Sequence, residues 1–356
     1  MLAFRYISFH YIKYFLVIIM ALVMFVVGSD YIDHADRLGI SANLLIIYLV
    51  YKAFHAIDML LPLALVFGMI ATKVFLIRSN ALVSFFSLGY SRVDVLKPFV
   101  VVSSSVIVLF IYLHSIPDFA RAHEYSKNIR NYAAHLNPTQ DLFFTYKDKY
   151  IYFSKMLPLQ EKAEGIRVFS IKENRLKEVL VAKEALYKDD YWHILEADLL
   201  IKPDDMSFES LGIKVENAKN LKLLQGFRPK MLDQVYEGKV NFTIGDAIDA
   251  YLLLRDQNIN TSSIRGSLYK IFIYPFFVPC LIVIIFFFVP VSARFLNISL
   301  FSFGAIIATL LVWGLLFMFI ELSNNKTIPS EIGVVIPTII LFFIALRQWR
   351  KYRFVT

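Results

Sequence analysis

The chain has 356 residues, of which 58% are hydrophobic and only 19% are charged. Soluble domains carry about 25% charged residues, so this composition excludes an ordinary soluble protein. Residues 117–267 hold 22 Lys and Arg against 22 Asp and Glu, so the net charge of +8 comes entirely from the two flanks. Because the polar middle is neutral, it offers no basic stripe for nucleic acid, and no nucleic-acid partner is expected.

Motifs for catalysis and metal binding are absent from the sequence. The single cysteine, Cys280, lies in an apolar run, where we predict a small buried side chain and no disulfide. His193 has no paired nucleophile and is interpreted as an ordinary strand residue. Since there is no GxxxxGK[ST], GxSxG or HExxH motif, we predict no catalytic residue, metal or cofactor, and the chain is not expected to be an enzyme.

Six apolar segments are long enough, or nearly so, to cross the ~30 Å of membrane hydrocarbon. The first resembles a signal peptide in length but has only a weak cleavage site, so we interpret it as a retained anchor. In chain order the segments are Tyr14–Ser29, one within Leu44–Ile77, Phe99–Ile116, Ile271–Val291, Ile298–Ile320 and Ile332–Leu346.

The second segment is too long for one upright span, because a helix over Leu44–Ile77 would measure ~51 Å. Its first part contains Lys52, His55 and Asp58, which we place in the outer interface. The membrane crossing is therefore predicted at Leu60–Ile77, with Lys73 extending its amino group to the cytoplasmic surface.

Basic residues in the short connections fall mainly on one side of the membrane. Ten lie on the side of the two termini and two on the other, which predicts that both termini are cytoplasmic and residues 117–267 lie on the opposite side. The predicted domains are thus 1–116 with three spans, 117–267 as a water-exposed domain, and 268–356 with three more spans.

The middle domain alternates apolar and polar residues from Asp141 to Leu224. This period of two, with short polar turns, predicts an antiparallel sheet, as a sandwich or jelly roll. Helices are predicted over 117–137 and 243–257, the second beginning at an N-cap, Thr243. Its apolar side is predicted to consist of Ile248, Tyr251, Leu252 and the stem of Arg255.

The connection between the second and third spans has the pattern of a short amphipathic helix over 78–91. Gly89 is placed to end it as the C′ residue. Such a helix either docks in a groove of a soluble partner or lies at the lipid headgroups, and the pattern alone leaves both open. One face is predicted to carry Asn80, Ser84, Ser87 and Ser91, and the remainder Leu82, Phe85, Phe86 and Leu88.

These residues resemble the LptF/LptG permeases of lipopolysaccharide export. The resemblance begins with Leu61-Pro62-Leu63 and Gly68, continues through Arg78-Ser79-Asn80-Ala81-Leu82 and Gly89-Tyr90-Ser91-Arg92, and covers nearly the whole chain. The stretch from Phe169 to Leu176, followed by Asp190-Tyr191-Trp192, is closer to LptG than to LptF.

The resemblance implies an inner-membrane permease subunit with six transmembrane helices and a periplasmic antiparallel β domain of jelly-roll type. It implies a cytoplasmic ABC ATPase dimer, a paralogous six-span permease and a single-span or periplasmic bridge protein as partners, with lipopolysaccharide as the cargo. Residue 80 departs from the family, because an acidic residue is usual where this chain has Asn80. Asp30 departs as well, because relatives often place a basic residue there.

Two sets of site residues follow from this resemblance. A lipid with acidic phosphates requires a basic outer rim. The ATPase-coupling residues are Arg78, Ser79, Asn80, Leu82, Val83, Phe86 and Gly89, and the substrate-binding residues are Arg37, Lys52, His55, Lys127 and Arg130. Two alternatives are a lipoprotein-release or mechanotransmission permease and a membrane assembly or signalling protein without transport.

Overall fold

The computed structural model describes residues 2–34, 42–130, 139–146, 149–157, 161–172, 175–203, 212–225, 243–255, 261–288, 297–325 and 327–353. The chain divides into two compact units. The helical unit comprises Met1–Arg130 and Arg265–Thr356, and the sheet unit comprises Asn131–Ile264.

Within the described residues, six helical segments are long and apolar enough to cross a membrane, as the sequence predicts. A 3-10 turn at Tyr274–Phe276 joins two helices of the fourth span, and a π-turn at Glu331–Val335 opens the sixth. The helices of this unit are α1 (Leu2–His34), α2 (Ala42–Arg78), α3 (Ala81–Ser87), α4 (Arg92–Leu113), α5 (Pro117–Ala120), α6 (Ala122–Arg130), α8 (Ser262–Phe272, which begins in the sheet unit), α9 (Phe277–Phe287), α10 (Ile298–Asn324) and α11 (Ile336–Arg353).

The second and fourth spans form the interior of the helical unit, whereas the first, fifth and sixth expose most of their apolar residues. Helices α1 and α2 approach closely at Gly68, where an added Cβ would lie 3.0 Å from the Cα of Phe15. Tyr11 donates a hydrogen bond from its hydroxyl to the carbonyl oxygen of Leu65 at 3.0 Å. Outward-facing apolar side chains would be unfavourable in water but match the hydrocarbon of a bilayer.

The sheet unit contains six described strands joined in sequence order, each antiparallel to the next. The predicted antiparallel sheet is confirmed. Among the described strands, however, the topology is an open meander, and the crossed connections of a jelly roll do not occur. The strands are β1 (Thr139–Tyr146), β2 (Lys149–Leu157), β3 (Lys162–Lys172), β4 (Arg175–Lys188), β5 (Tyr191–Ile201) and β6 (Lys214–Leu223).

Alternate residues of β2 and β5 supply the core of the sheet unit. Phe153 and Trp192 are buried, and their ring centroids lie 5.2 Å apart. The β4–β5 hairpin turns through Asp189 and Asp190, both with positive φ, as a two-residue hairpin turn requires. His193 lies on β5 and donates a hydrogen bond from Nε2 to the carbonyl oxygen of Lys188, which agrees with an ordinary strand role.

Helix α7 (Ile244–Arg255) also belongs to the sheet unit. The side chain of Thr243 accepts a hydrogen bond from the backbone N–H of Asp246 at 3.1 Å, so the predicted N-cap is confirmed. The predicted apolar side of this helix is not its buried side. Ile248 and Leu252 are exposed, whereas Ala247 and Ala250 are fully buried on the other face of this helix.

Candidate functional site

The 78–91 segment is less helical than predicted. Helix α3 covers only Ala81–Ser87, and it begins after Asn80, which has φ of 57° and makes no side-chain cap. Ser91 does not continue the polar face of this helix. It caps α4 instead, exchanging hydrogen bonds with Asp94 in a capping box. Because Ser91 is held by the next helix, the predicted face of four polar residues is wrong at that position.

Gly89 ends α3 as predicted. Its φ is 85°, its N–H bonds to the carbonyl of Phe86, and the N–H of Tyr90 bonds to the carbonyl of Phe85. These two bonds form a Schellman motif, and the rings of Phe85 and Tyr90 supply its apolar contact, with centroids 6.0 Å apart. A residue with a side chain would be strained at this φ.

Leu82 anchors the 78–91 segment to the helical unit, because it is buried in the core formed by α2, α4 and α9. Phe86 is half-buried. Val83 is 41% exposed and Leu88 is 74% exposed, and Arg78, Ser79, Asn80 and Gly89 are also exposed. The segment therefore presents two apolar side chains and a polar turn outward, while Leu82 supports the helix from beneath.

The prediction that Lys73 reaches the cytoplasmic surface is wrong. Lys73 is only 2% exposed, and its Nζ donates a hydrogen bond to the carbonyl oxygen of Phe286 at the end of α9. The same Nζ lies 4.0 Å from the centroid of the Phe286 ring. This site between helices is available because α9 ends beside Lys73, which the sequence of α2 alone does not reveal.

A second group of polar side chains, the outer polar cluster, lies at the other end of α2. Lys52 forms an ion pair with Asp30 of α1, with 2.6 Å between Nζ and Oδ1. Tyr48 donates a hydrogen bond from its hydroxyl to the same carboxylate. Nδ1 of His34 lies 3.9 Å from Oδ1 of Asp30. Nη1 of Arg130, on α6, lies 3.3 Å from Nε2 of the same histidine.

The outer polar cluster continues along α2 toward α4 and α6. Asp58 lies 3.0 Å from Nε2 of His114, which is the residue that ends α4. The rings of His55 and His123 are 4.3 Å apart. Desolvation of the His123 ring, which lies against His55, lowers its pKa, and the nearby charges of Lys52, Lys127 and Arg130 lower it further.

The structure places the predicted substrate-binding residues in different settings. Lys52 is neutralised by Asp30, His55 is half-buried against His123, and Lys127 is exposed on α6. Arg130 lies beside His34, and Arg37 lies outside the described residues. Sequence reasoning missed Tyr48, His114 and His123. Tyr48 and Lys52 are four residues apart, so one helical face presenting both to Asp30 could have been anticipated.

Cys280 is buried in α9 as a free thiol, as predicted. Across the part of the chain that the structure describes, no group of three or more His, Cys, Asp or Glu side chains is placed to hold a metal ion.

Comparison with known proteins gives one family. No curated protein matches the chain. The family model described as "Lipopolysaccharide export system permease LptF/LptG" matches residues 5–351, which include the sheet unit and nearly all of the six apolar spans. The chain belongs to the LptF/LptG family of lipopolysaccharide export permeases.

Proposed function

We propose that this chain is the permease subunit of an ABC exporter that extracts lipopolysaccharide from the inner membrane and passes it to a periplasmic bridge. The family match over residues 5–351 carries the proposal. The order of three apolar spans, a sheet unit and three further spans supports it. The residues from Phe169 to Leu176 favour the LptG-like subtype.

A separate ATPase dimer would supply the energy, since the sequence contains no P-loop. We place its docking site on the 78–91 segment, where Val83 and Leu88 are exposed beside the turn at Asn80. An asparagine can donate and accept hydrogen bonds but carries no charge, so an ion pair at this position is replaced by a neutral contact. The paralogous six-span permease would bring a second segment of the same kind.

Co-purification tests this docking site. A tagged chain in mild detergent should bring down an ATPase and a second six-span protein. Val83→Glu should reduce recovery of the ATPase at least tenfold, because a charge in an apolar docking surface is unfavourable. Lys351→Glu, an exposed change at the end of α11, is the control. Recovery of neither partner with the unaltered chain would favour a membrane assembly or signalling role.

The cargo-binding rim is proposed at Lys127 and Arg130 of α6. Cationic side chains at the outer interface can bind lipid phosphates through charge-assisted hydrogen bonds. Lys52 has a different role in this proposal, because Asp30 already neutralises it. It would hold α1 and α2 together beneath the rim.

Charge reversal tests the rim. Lys127→Glu with Arg130→Glu should lower photocrosslinking to lipopolysaccharide and ATP-dependent release several-fold. Lys177→Glu with Lys183→Glu makes the same charge change at exposed positions of β4 and should leave both measurements near their original values. Unchanged release with the α6 pair reversed would rule out this rim.

The bridge protein is proposed to add a strand to the sheet unit. Among the described strands, β1 and β6 are each paired on one side only, and β6 is exposed along most of its length. The termini would be cytoplasmic and the sheet unit periplasmic, as the charge bias of the short connections favours. A lipoprotein-release permease is disfavoured, because such proteins place the large domain after the first of four spans.

A further inference from the structure

The buried Lys73 lies where α2 meets the end of α9. Its neighbours in the described structure include no carboxylate at ion-pair distance, and its Nζ donates to the carbonyl oxygen of Phe286. This contact joins residues 213 positions apart in the chain. A lysine in such a place is explained neither by solvent exposure nor by an ion pair.

The carbonyl of Phe286 lacks the i+4 N–H donor that a carbonyl in the interior of an α-helix has. In a continuing α-helix its partner would be the N–H of residue 290, but residue 290 is proline and has no N–H. The last carbonyls of a helix have no hydrogen-bond partner within the helix, so a donor from another helix is favourable there. Lys73 supplies that hydrogen-bond donor.

The end of α9 is a meeting point for three other helices. Phe99 of α4 contacts Phe286, with ring centroids 6.0 Å apart. Tyr352 of α11 stacks on Phe287 at 4.5 Å with an interplanar angle of 10°. These aromatic contacts can slide, whereas the hydrogen bond from Lys73 fixes one atom of α2 to one atom of α9.

Lys73 also lies close to the 78–91 segment. It precedes Arg78 by five residues of the same helix, which is about 7.5 Å along the axis. Leu82 of α3 packs into the core to which the α9 residues around Phe286 belong. A displacement of the 78–91 segment therefore reaches Lys73 through little more than one turn of continuous helix.

We infer that Lys73 is a positioning residue that ties α2 to the end of α9, so that movement of the 78–91 segment moves the fourth span. The inference rests on the proposed function for the source of that movement. In an exporter, this hydrogen bond between Lys73 and Phe286 would couple ATP hydrolysis to lipid release, although Lys73 would contact neither ATP nor the lipid. Its loss would uncouple the two activities rather than abolish hydrolysis.

The experiment uses the full complex with its ATPase and partner permease, reconstituted in liposomes with lipopolysaccharide and ATP. Lys73→Met keeps the apolar stem and removes the donor, Lys73→Arg keeps a hydrogen-bond donor, and Lys97→Met changes an exposed lysine of α4 as the control. We expect Lys73→Met to lower lipid released per ATP hydrolysed about tenfold, Lys73→Arg to restore most of it, and Lys97→Met to leave it unchanged. An unchanged ratio in Lys73→Met would overturn the inference, as would an equal fall in hydrolysis and release.

A distance measurement tests the tie without relying on transport. Spin labels at Val83 and Phe288, both exposed, report on the separation of α3 from the end of α9 in the chain alone in lipid nanodiscs. The distance distribution should be narrow in the original chain and in Lys73→Arg, and broader in Lys73→Met. Equal widths would overturn the inference. If the original complex releases no lipid, the proposed function fails, and this measurement still decides the role of Lys73.

Discussion

In the sheet unit charged side chains project outward and pair across strands, whereas in the helical unit polar side chains lie between helices and apolar ones project outward. Three lysines show the difference. Lys162 lies 2.9 Å from Glu184 in an exposed pair, Lys52 is mostly covered and lies 2.6 Å from Asp30, and Lys73 is buried against a carbonyl. As access to water falls, the partner of each lysine becomes more necessary to the fold. The two units therefore respond differently to the same kind of substitution.

The largest expected effect lies in the core of the sheet unit. Trp192→Ala should lower the free energy of opening of the sheet by about 3–5 kcal/mol, because it removes a fully buried ring that packs against Phe153. Hydrogen exchange of the β2 and β5 amides measures this. Leu195→Ala, on the same strand at 66% exposure, should change it by less than about 0.5 kcal/mol. Equal effects would show that the described packing face is not the core.

The second-largest expected effect concerns the ion pair between Asp30 and Lys52 in the helical unit. Asp30→Ala should destabilise the chain by about 2 kcal/mol, between the ~1 kcal/mol of an exposed pair and the ~3 kcal/mol of a buried one, because Lys52 and Tyr48 lose their acceptor. Thermal unfolding in detergent measures this, with Asp33→Ala as an exposed control on the same helix. Adding Lys52→Met to Asp30→Ala should recover part of the loss. No recovery would contradict the pairing.

A smaller loss of stability is expected at the contact between α1 and α2. Gly68→Ala should destabilise the chain by about 1 kcal/mol, the lower end of the range for overpacking, since the new methyl would meet backbone of Phe15. Gly28→Ala adds the same methyl to a helix position with nothing within 4 Å. Because alanine is the better helix former, that change should be neutral or stabilising. A loss at Gly28 equal to that at Gly68 would argue against the close approach.

The smallest expected effect concerns pH and His123. Since the pKa of His123 is lowered in the folded chain, the unfolded chain binds more protons as the pH falls below about 6.5, and stability decreases. The unfolding temperature in detergent should therefore drop between pH 7 and pH 5 by less in His123→Gln than in the original chain. The difference should be small, because His123 keeps much of its surface exposed. A larger drop in unfolding temperature in the variant would contradict the lowered pKa of His123.

Local pattern anticipated much of the fold. Apolar length predicted the six spans, period-two alternation predicted the sheet, and a short polar run predicted the turn at Asp189 and Asp190. The capping residues Thr243 and Gly89 were also found from sequence, because a cap depends on only a few neighbouring residues. The open meander of the described strands was not, since strand order depends on which strands meet in space.

The candidate site was predicted less completely than the fold. The 78–91 segment was found because its pattern is local, but its helix is shorter, and Ser91 caps the next helix. The rim residues are predicted from their basic character and their position near the outer interface. Lys52 proved to be paired with Asp30, which lies on another helix and 22 positions earlier in the chain.

The sequence by itself determined the class of this protein, its apolar spans and the neutral polar region 117–267 between them, because these follow from composition and period along the chain. Only the tertiary structure decided what each polar side chain of α2 does. Lys52 and Lys73 look alike in sequence, yet one meets a carboxylate of α1 and the other a carbonyl at the end of α9. The physical reason is that a buried polar group is stabilised by its partner, and these partners come from helices that only folding brings together.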